Sequence, residues 1–115
     1  MHAHKKQVWI IDDEIDLALL FSEYLNREFV TRVFHTAHDL LDAIDHTEQV
    51  VDVILSDIFL PDINGLDLLK QIKEKNPNIL PISMSGAFNS GAIFQKPFDL
   101  DDLTKFIRLN LEGHE

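Results

Sequence analysis

The sequence predicts an α/β domain: a parallel β-sheet with helices on both faces. Three observations carry this. Short apolar, β-branched stretches alternate along the chain with longer stretches whose apolar positions recur at three and four. The stretch Val51-Asp52-Val53-Ile54-Leu55 is apolar at nearly every position, as in a strand buried on both faces. It stops at a carboxylate, Asp57, and Pro61, Asp62, Asn64 and Gly65 then force a loop.

The elements follow in order. After a polar lead, residues 1–6, Val8–Ile11 forms a short buried strand ending in Asp12-Asp13-Glu14. Asp13 is the expected N-cap of a helix from Glu14 to Arg27. Its apolar positions Ile15, Leu17, Ala18, Leu19, Leu20, Phe21, Tyr24 and Leu25 predict a broad buried face. Phe29–His35 is the second strand. Thr36, with Asp39 three residues on, opens a second helix to about His46, with Leu40, Leu41 and Ile44 inward. The central strand covers about Asp52–Ser56. A helix from about Leu66 to Lys75 follows, its core face Leu66, Leu69 and Ile72, and Asn76-Pro77-Asn78 stops it. Ile79–Ser85 and Ala92–Gln95 are the fourth and fifth strands. Asp99 caps a last helix through about Leu111, with Leu103, Phe106, Ile107 and Leu111 inward. Only residues 86–91 separate the last two strands, whereas a helical crossover needs about ten to twelve residues. The helix expected there is absent or reduced to about one turn.

At 115 residues the chain is read as one domain, with 113–115 a tail or linker stub. The hydrophobic share of 45% suffices for a core and argues against disorder. No apolar run nears the roughly 18 residues of a membrane span, and the lead lacks the apolar segment of a secretory signal. With no cysteine there is neither disulfide nor thiolate chemistry. These features fit a cytoplasmic protein that does not bind membranes. The net charge of −10 repels phosphate backbones, so direct nucleic-acid binding is not expected. The six histidines fit no metal-binding pattern and are read as surface residues.

In an open parallel sheet, ligands bind at the carboxyl ends of the strands. Asp12 and Asp13 end the first strand and Asp57 the third. If those strands are neighbours, three acids share one edge, and like charges that close need a cation. Mg²⁺ suits oxygen donors of this kind and is usually held by carboxylates together with a phosphate oxygen. Asp57 could then act as a nucleophile on phosphorus. Ser85, ending the fourth strand, and Lys96, after the fifth, bring a hydroxyl and an ammonium to the same edge, where phosphoryl oxygens need donors. Taken singly, each residue has a plainer role. The acid pair could be a cap, Asp57 a turn acid, and Lys96-Pro97 an ordinary loop. The joint order is the specific signal.

That order resembles the receiver domain of two-component response regulators, over nearly the whole chain. Ile11-Asp12-Asp13-Glu14, Ser56 through Gly65, Met84-Ser85-Gly86 and Gln95-Lys96-Pro97-Phe98 carry the resemblance. It implies a flavodoxin-like, doubly wound five-stranded sheet of order 2-1-3-4-5. It implies that Asp57 is the phosphoacceptor, that Asp12, Asp13, Asp57 and the Phe59 backbone carbonyl hold Mg²⁺, and that Ser85 and Lys96 stabilise the phosphoryl group. It also implies that the Lys96–Pro97 bond is cis. The donor would be a histidine kinase or histidine phosphotransfer protein, and the domain would turn over no external substrate. Two departures stand out. The helix before the fifth strand does not fit, and the aromatic that members carry three residues before the lysine is here Ile93, the switch position. The usual output face is therefore altered, and signalling by another surface or by altered dimerisation to an unknown output partner or domain is expected. The alternative is a receiver-like interaction module that is not phosphorylated in practice. An aspartate-nucleophile phosphatase is disfavoured, because the residue two after Asp57 is Phe59, which cannot transfer a proton.

Overall fold

The computed structural model describes residues 5–87 and 90–112. Its elements are β1 (Gln7–Ile11), α1 (Ile15–Leu25), β2 (Val30–Phe34), α2 (Ala37–His46), β3 (Val53–Asp57), α3 (Gly65–Lys75), β4 (Leu80–Ser85), β5 (Phe94–Gln95) and α4 (Leu100–Glu112). All strand pairings are parallel, and the sheet order is β2-β1-β3-β4-β5. The flavodoxin-like expectation is therefore met, with β3 central and all five of its residues buried.

The pleat divides the core in two. Val8 and Ile10 of β1, with Val53, Leu55, Ile82 and Met84, face α1 and α4 through Ala18, Phe21, Leu25, Leu103 and Ile107. Trp9, Ile11 and Ile54 point the other way, onto α2 and α3 through Ala37, Leu40, Leu68, Leu69 and Ile72. Successive residues of a strand face opposite sides, so a continuous apolar run fills both layers.

Pro81 lies inside β4, opposite Ile54. The Leu80 N–H donates to the Asp52 carbonyl of the β3 side, so the next backbone nitrogen points away from β3. β5 pairs only with Met84 and Ser85, so no partner strand demands a donor from Pro81.

Four expectations need correction. In α1 only Ala18, Phe21 and Leu25 are buried, while Ile15, Leu19 and Leu20 are about half exposed, because one stripe faces the sheet and nothing covers the rest. Asp13 does not cap α1. The N-cap is Glu14, without a side-chain cap, and its N–H instead donates to Asp12 Oδ1 at 2.9 Å. In α3 the stripe is Gly65, Leu68, Leu69 and Ile72, and Leu66 is 40% exposed. The helix starts at Gly65, which packs on the strand and sets this rotation. β5 is shorter than Ala92–Gln95, because the Ile93 N–H leaves the ladder for Ser83 Oγ at 2.9 Å. Thr36 caps α2 as expected, accepting the Asp39 N–H at 3.2 Å, and Asp99 Oδ1 accepts the Asp101 N–H at 2.8 Å before α4.

No helix appears between β4 and β5 among the described residues, as the short connection required. Residues 88–89 of that connection lie outside the described residues, as do 1–4 of the expected lead, with His2 and His4, and the 113–115 tail. Within the lead, the Lys6 carbonyl accepts the Val30 N–H at 2.9 Å, which ties that residue to β2.

The rotation of α3 is directly testable. Leu68→Ala empties a fully buried site and is expected to cost about 2–5 kcal/mol, whereas Leu66→Ala should cost under about 1 kcal/mol. Urea unfolding of both variants checks this, and equal losses would refute the assigned face.

Candidate functional site

The carboxyl ends of β1, β3, β4 and β5 meet at one edge. Asp12 directly follows β1, and its N–H donates to the Phe34 carbonyl of β2, so strand geometry still fixes it. Asp57 is the last residue of β3, and the Ile58 N–H donates to the Met84 carbonyl at 2.9 Å. Lys96 follows β5, its N–H on the Ser85 carbonyl at 2.8 Å. The register thus sets three side chains from distant parts of the sequence against one another.

Asp12, Asp13 and Asp57 each offer a carboxylate oxygen within 4.8 Å of the other two. Asp12 and Asp57 are buried and Asp13 is exposed. Lys96 Nζ sits 2.7 Å from Asp12 Oδ2, 3.7 Å from Asp57 Oδ2 and 3.5 Å from Glu14 Oε1. One ammonium therefore faces three carboxylates at this edge, with Asp13 as a fourth acid beside Asp12 and Asp57. Burial raises the Asp57 carboxyl above its ordinary value, Lys96 pulls it back, and the Asp12 charge raises it again. Asp12 is likewise raised by burial, against the pull of its bond from Lys96. Lys96 loses by burial but gains more from Asp12 and Asp57, so it holds its proton more tightly than usual.

The acid set is hard, oxygen-only and short of positive charge. Those are the conditions that suit Mg²⁺.

The loop after Asp57 is held at both ends. The Gly65 N–H closes on the Ile58 carbonyl at 2.6 Å, and a Cβ at Gly65 would stand 1.9 Å from the Asp57 carbonyl oxygen. Only glycine lets α3 start this close to the strand. Asn64 caps α3 by accepting the Leu66 N–H. At the loop's middle, the Asp62 carboxylate accepts the Ala37 and His38 N–H groups, both at 3.1 Å, and so caps α2 from a distance. Burial pushes Asp62 up, but these amide bonds prevail and its carboxyl lies below the usual range. Sequence reasoning placed Asp62 only as a turn former, and nothing in the local pattern linked it to α2. Glu14 was also missed as a partner of Lys96, although it adjoins the acid pair.

Ser85 and Ser83 behave differently from a simple donor pair. Ser85 is fully buried, and its Oγ accepts the Ala87 N–H at 3.0 Å, with no hydrogen bond to Asp57 among the described residues. Ser83 Oγ is engaged with Ile93. Phe59 is 56% exposed. Ile93 is exposed, and the neighbouring Phe94 packs between Phe98 and Phe106 at 5.2 and 5.3 Å. The Lys96–Pro97 bond is cis. His35, His38 and His46 are exposed, and none joins the acid cluster.

Residues 8–108 match the family profile described as the response regulator receiver domain. The chain belongs to that family. Curated relatives include the DNA-binding transcriptional regulator NtrC of Proteus hauseri, 36% identical across 90% of this chain. They also include sporulation initiation phosphotransferase F of Bacillus subtilis, 28% identical across 90% of this chain and 91% of that protein. This receiver domain spans about a quarter of the length of the NtrC proteins it matches, 24% of the Proteus one. Among solved structures, a CheY-like response regulator receiver domain protein from Methanospirillum hungatei superposes with a TM-score of 0.84 at 25% identity, covering 95% of each chain. The alignment with the Proteus relative is 115 residues long yet takes in only 90% of this receiver.

The raised carboxyls fix a sign. A carboxyl with a folded-state pKa above 3.8 binds its proton more tightly in the folded chain, so stability falls as pH rises from about 4 through the raised value. Without divalent cation, Asp57→Asn should raise the melting temperature near neutral pH. It should also shrink the loss of stability as pH rises above about 4. Thermal unfolding of both proteins in chelator checks this, and a less stable Asp57→Asn would contradict it.

Proposed function

We propose that this receiver domain is a phosphorylatable switch. Asp57 accepts a phosphoryl group from a histidine kinase or histidine phosphotransfer protein, with Mg²⁺ held by Asp12, Asp13, Asp57 and the Phe59 carbonyl. The single observation that carries the reading is the convergence of three carboxylates around one edge with Lys96 against two of them.

Each residue has a role set by its position. An Asp57 oxygen attacks phosphorus, a new P–O bond forms, and the phosphorus–nitrogen bond of the donor phosphohistidine breaks. Bound Mg²⁺ supplies positive charge to the phosphoryl oxygens and offsets repulsion between the acids. Lys96, held by Asp12, presents its ammonium to the same oxygens without needing to reorient. Ser85 would exchange its bond from Ala87 for one to the phosphoryl group. That exchange frees the segment after β4, and Ile93 stands at the switch position. The two states would differ by a few kcal/mol and be biased by the new charge.

The domain thus modifies itself and turns over no external substrate. We place it in the cytoplasm with its donor; no described helix is long and apolar enough to cross a membrane. Its short match to NtrC proteins supports attachment to, or contact with, an output partner. The acidic surface argues against direct nucleic-acid contact by this part of the chain.

With Mg²⁺ and acetyl phosphate, intact-mass measurement should show one added phosphoryl group, lost in Asp57→Ala and in excess chelator. Asp13→Ala should keep the fold and weaken Mg²⁺ binding by about tenfold or more. A wild-type chain without adduct would favour the non-phosphorylated interaction module instead.

A further inference from the structure

We propose that the open groove between α3 and the outer edge of β4 docks an amphipathic helix of a partner protein, apolar along one face and acidic beside it. This inference goes beyond the phosphoryl chemistry of Asp57 and does not rest on it. The groove has a volume of about 500 Å³ and is lined by Leu66, Leu69, Lys70, Pro81, Ser83 and Ile93, among others. Leu66 is 40% and Ile93 54% exposed, although both sit beside the buried Leu69. On the opposite side of the sheet, Ile82 and Met84 of the same strand are fully covered in the cluster that includes Leu103 and Ile107 of α4. Parallel strands are ordinarily covered on both faces. Here the connection between β4 and β5 is too short to supply its own helix, and among the described residues an apolar strip stays open along the outer side of α3.

The shape of the occupant follows from the edge. Pro81 has no N–H to give, and Ser83 Oγ already accepts the Ile93 N–H. A strand adding to this edge would meet a missing donor, whereas a helix needs only side-chain contact. An occupant parallel to the eleven-residue α3 spans about three turns.

The charge of the occupant follows from the rim. The rim carries Lys70, Lys73 and one carboxylate, Glu74, and Lys70 has no carboxylate within ion-pair distance among the described residues. The Lys73 ammonium is turned to the Pro77 and Ile79 carbonyls instead. A carboxylate on the incoming helix would pair with Lys70.

The test uses the full chain and two synthetic amphipathic helical peptides. Both carry leucines at i, i+3, i+4 and i+7; one has glutamates beside them and its twin has lysines. Amide shifts in NMR titration should map to Leu66, Leu69, Lys70 and Ile93, with the glutamate peptide binding about fivefold more tightly than its twin. Leu66→Glu should abolish these shifts, and Lys70→Glu should invert the peptide preference. Both variants should keep the wild-type phosphoryl adduct, which separates failure here from failure at Asp57. Absent shifts, shifts centred on α1 or α4, or an unchanged preference in Lys70→Glu would overturn the proposal. So would sedimentation showing the free chain to be a dimer that Leu66→Glu disperses, which would assign the groove to a second copy.

Discussion

One ammonium decides whether this edge can exist. Lys96 stands 2.7 Å from Asp12 and 3.7 Å from Asp57, both buried and both ends of strands. Two buried carboxylates without a partner would take up protons or push the strand ends apart. A single cation among four acids holds the edge together but leaves it underneutralised. That deficit is what the proposed divalent ion would offset. Removing Lys96 would not simply delete a contact. It would leave Asp12 buried and unpaired, the costly half of breaking such a pair.

The fold supplies the rest by geometry. Parallel pairing aligns the carboxyl ends of β1, β3, β4 and β5, so residues 12, 57, 85 and 96 meet without any loop reaching for another. Gly65 then lets α3 begin against the Asp57 carbonyl, which fixes the loop carrying Phe59 from below. Asp62 fixes it from the side by capping α2 with both carboxylate oxygens. The loop beside the Asp57 carboxylate is thus tied into two helices, which limits how far its backbone can move.

The strand–helix alternation, the buried β3 and the acids at strand ends were legible because each depends on local pattern. So was the missing crossover helix, since six residues between Ser85 and Ala92 cannot form one. What was not legible depends on partners far along the chain. Leu66 and Leu68 are equally apolar in sequence, and only the packing of Gly65 on Asp57 decides that Leu68 faces the core. The apolar residues of α1 predicted a broad buried face, but a two-layered sheet covers only one stripe, leaving Ile15, Leu19 and Leu20 outside. Asp13 looked like a cap because an acid before a helix often is one. Asp12 instead takes the Glu14 N–H, which leaves Asp13 facing the cluster. The Asp62 bonds to residues 37 and 38 span the sheet's upper edge and have no signature in sequence spacing.

The shortened β4–β5 connection changes what the domain can present, not what its acidic edge can hold. The two lie close, since Asp57 pairs with Met84 beside the groove-lining Ser83, and substitutions on α3 at Leu66 and Lys70 are what probe the groove apart from the acids. The most direct measurement of the central claim is a titration with Mn²⁺ in place of Mg²⁺, followed by paramagnetic broadening of backbone amides. The account predicts loss of signal centred on residues 12–14 and 57–59 at about one equivalent of bound ion, and its disappearance in Asp12→Ala plus Asp13→Ala. Broadening spread over the acidic helices, or unchanged in the double variant, would contradict it.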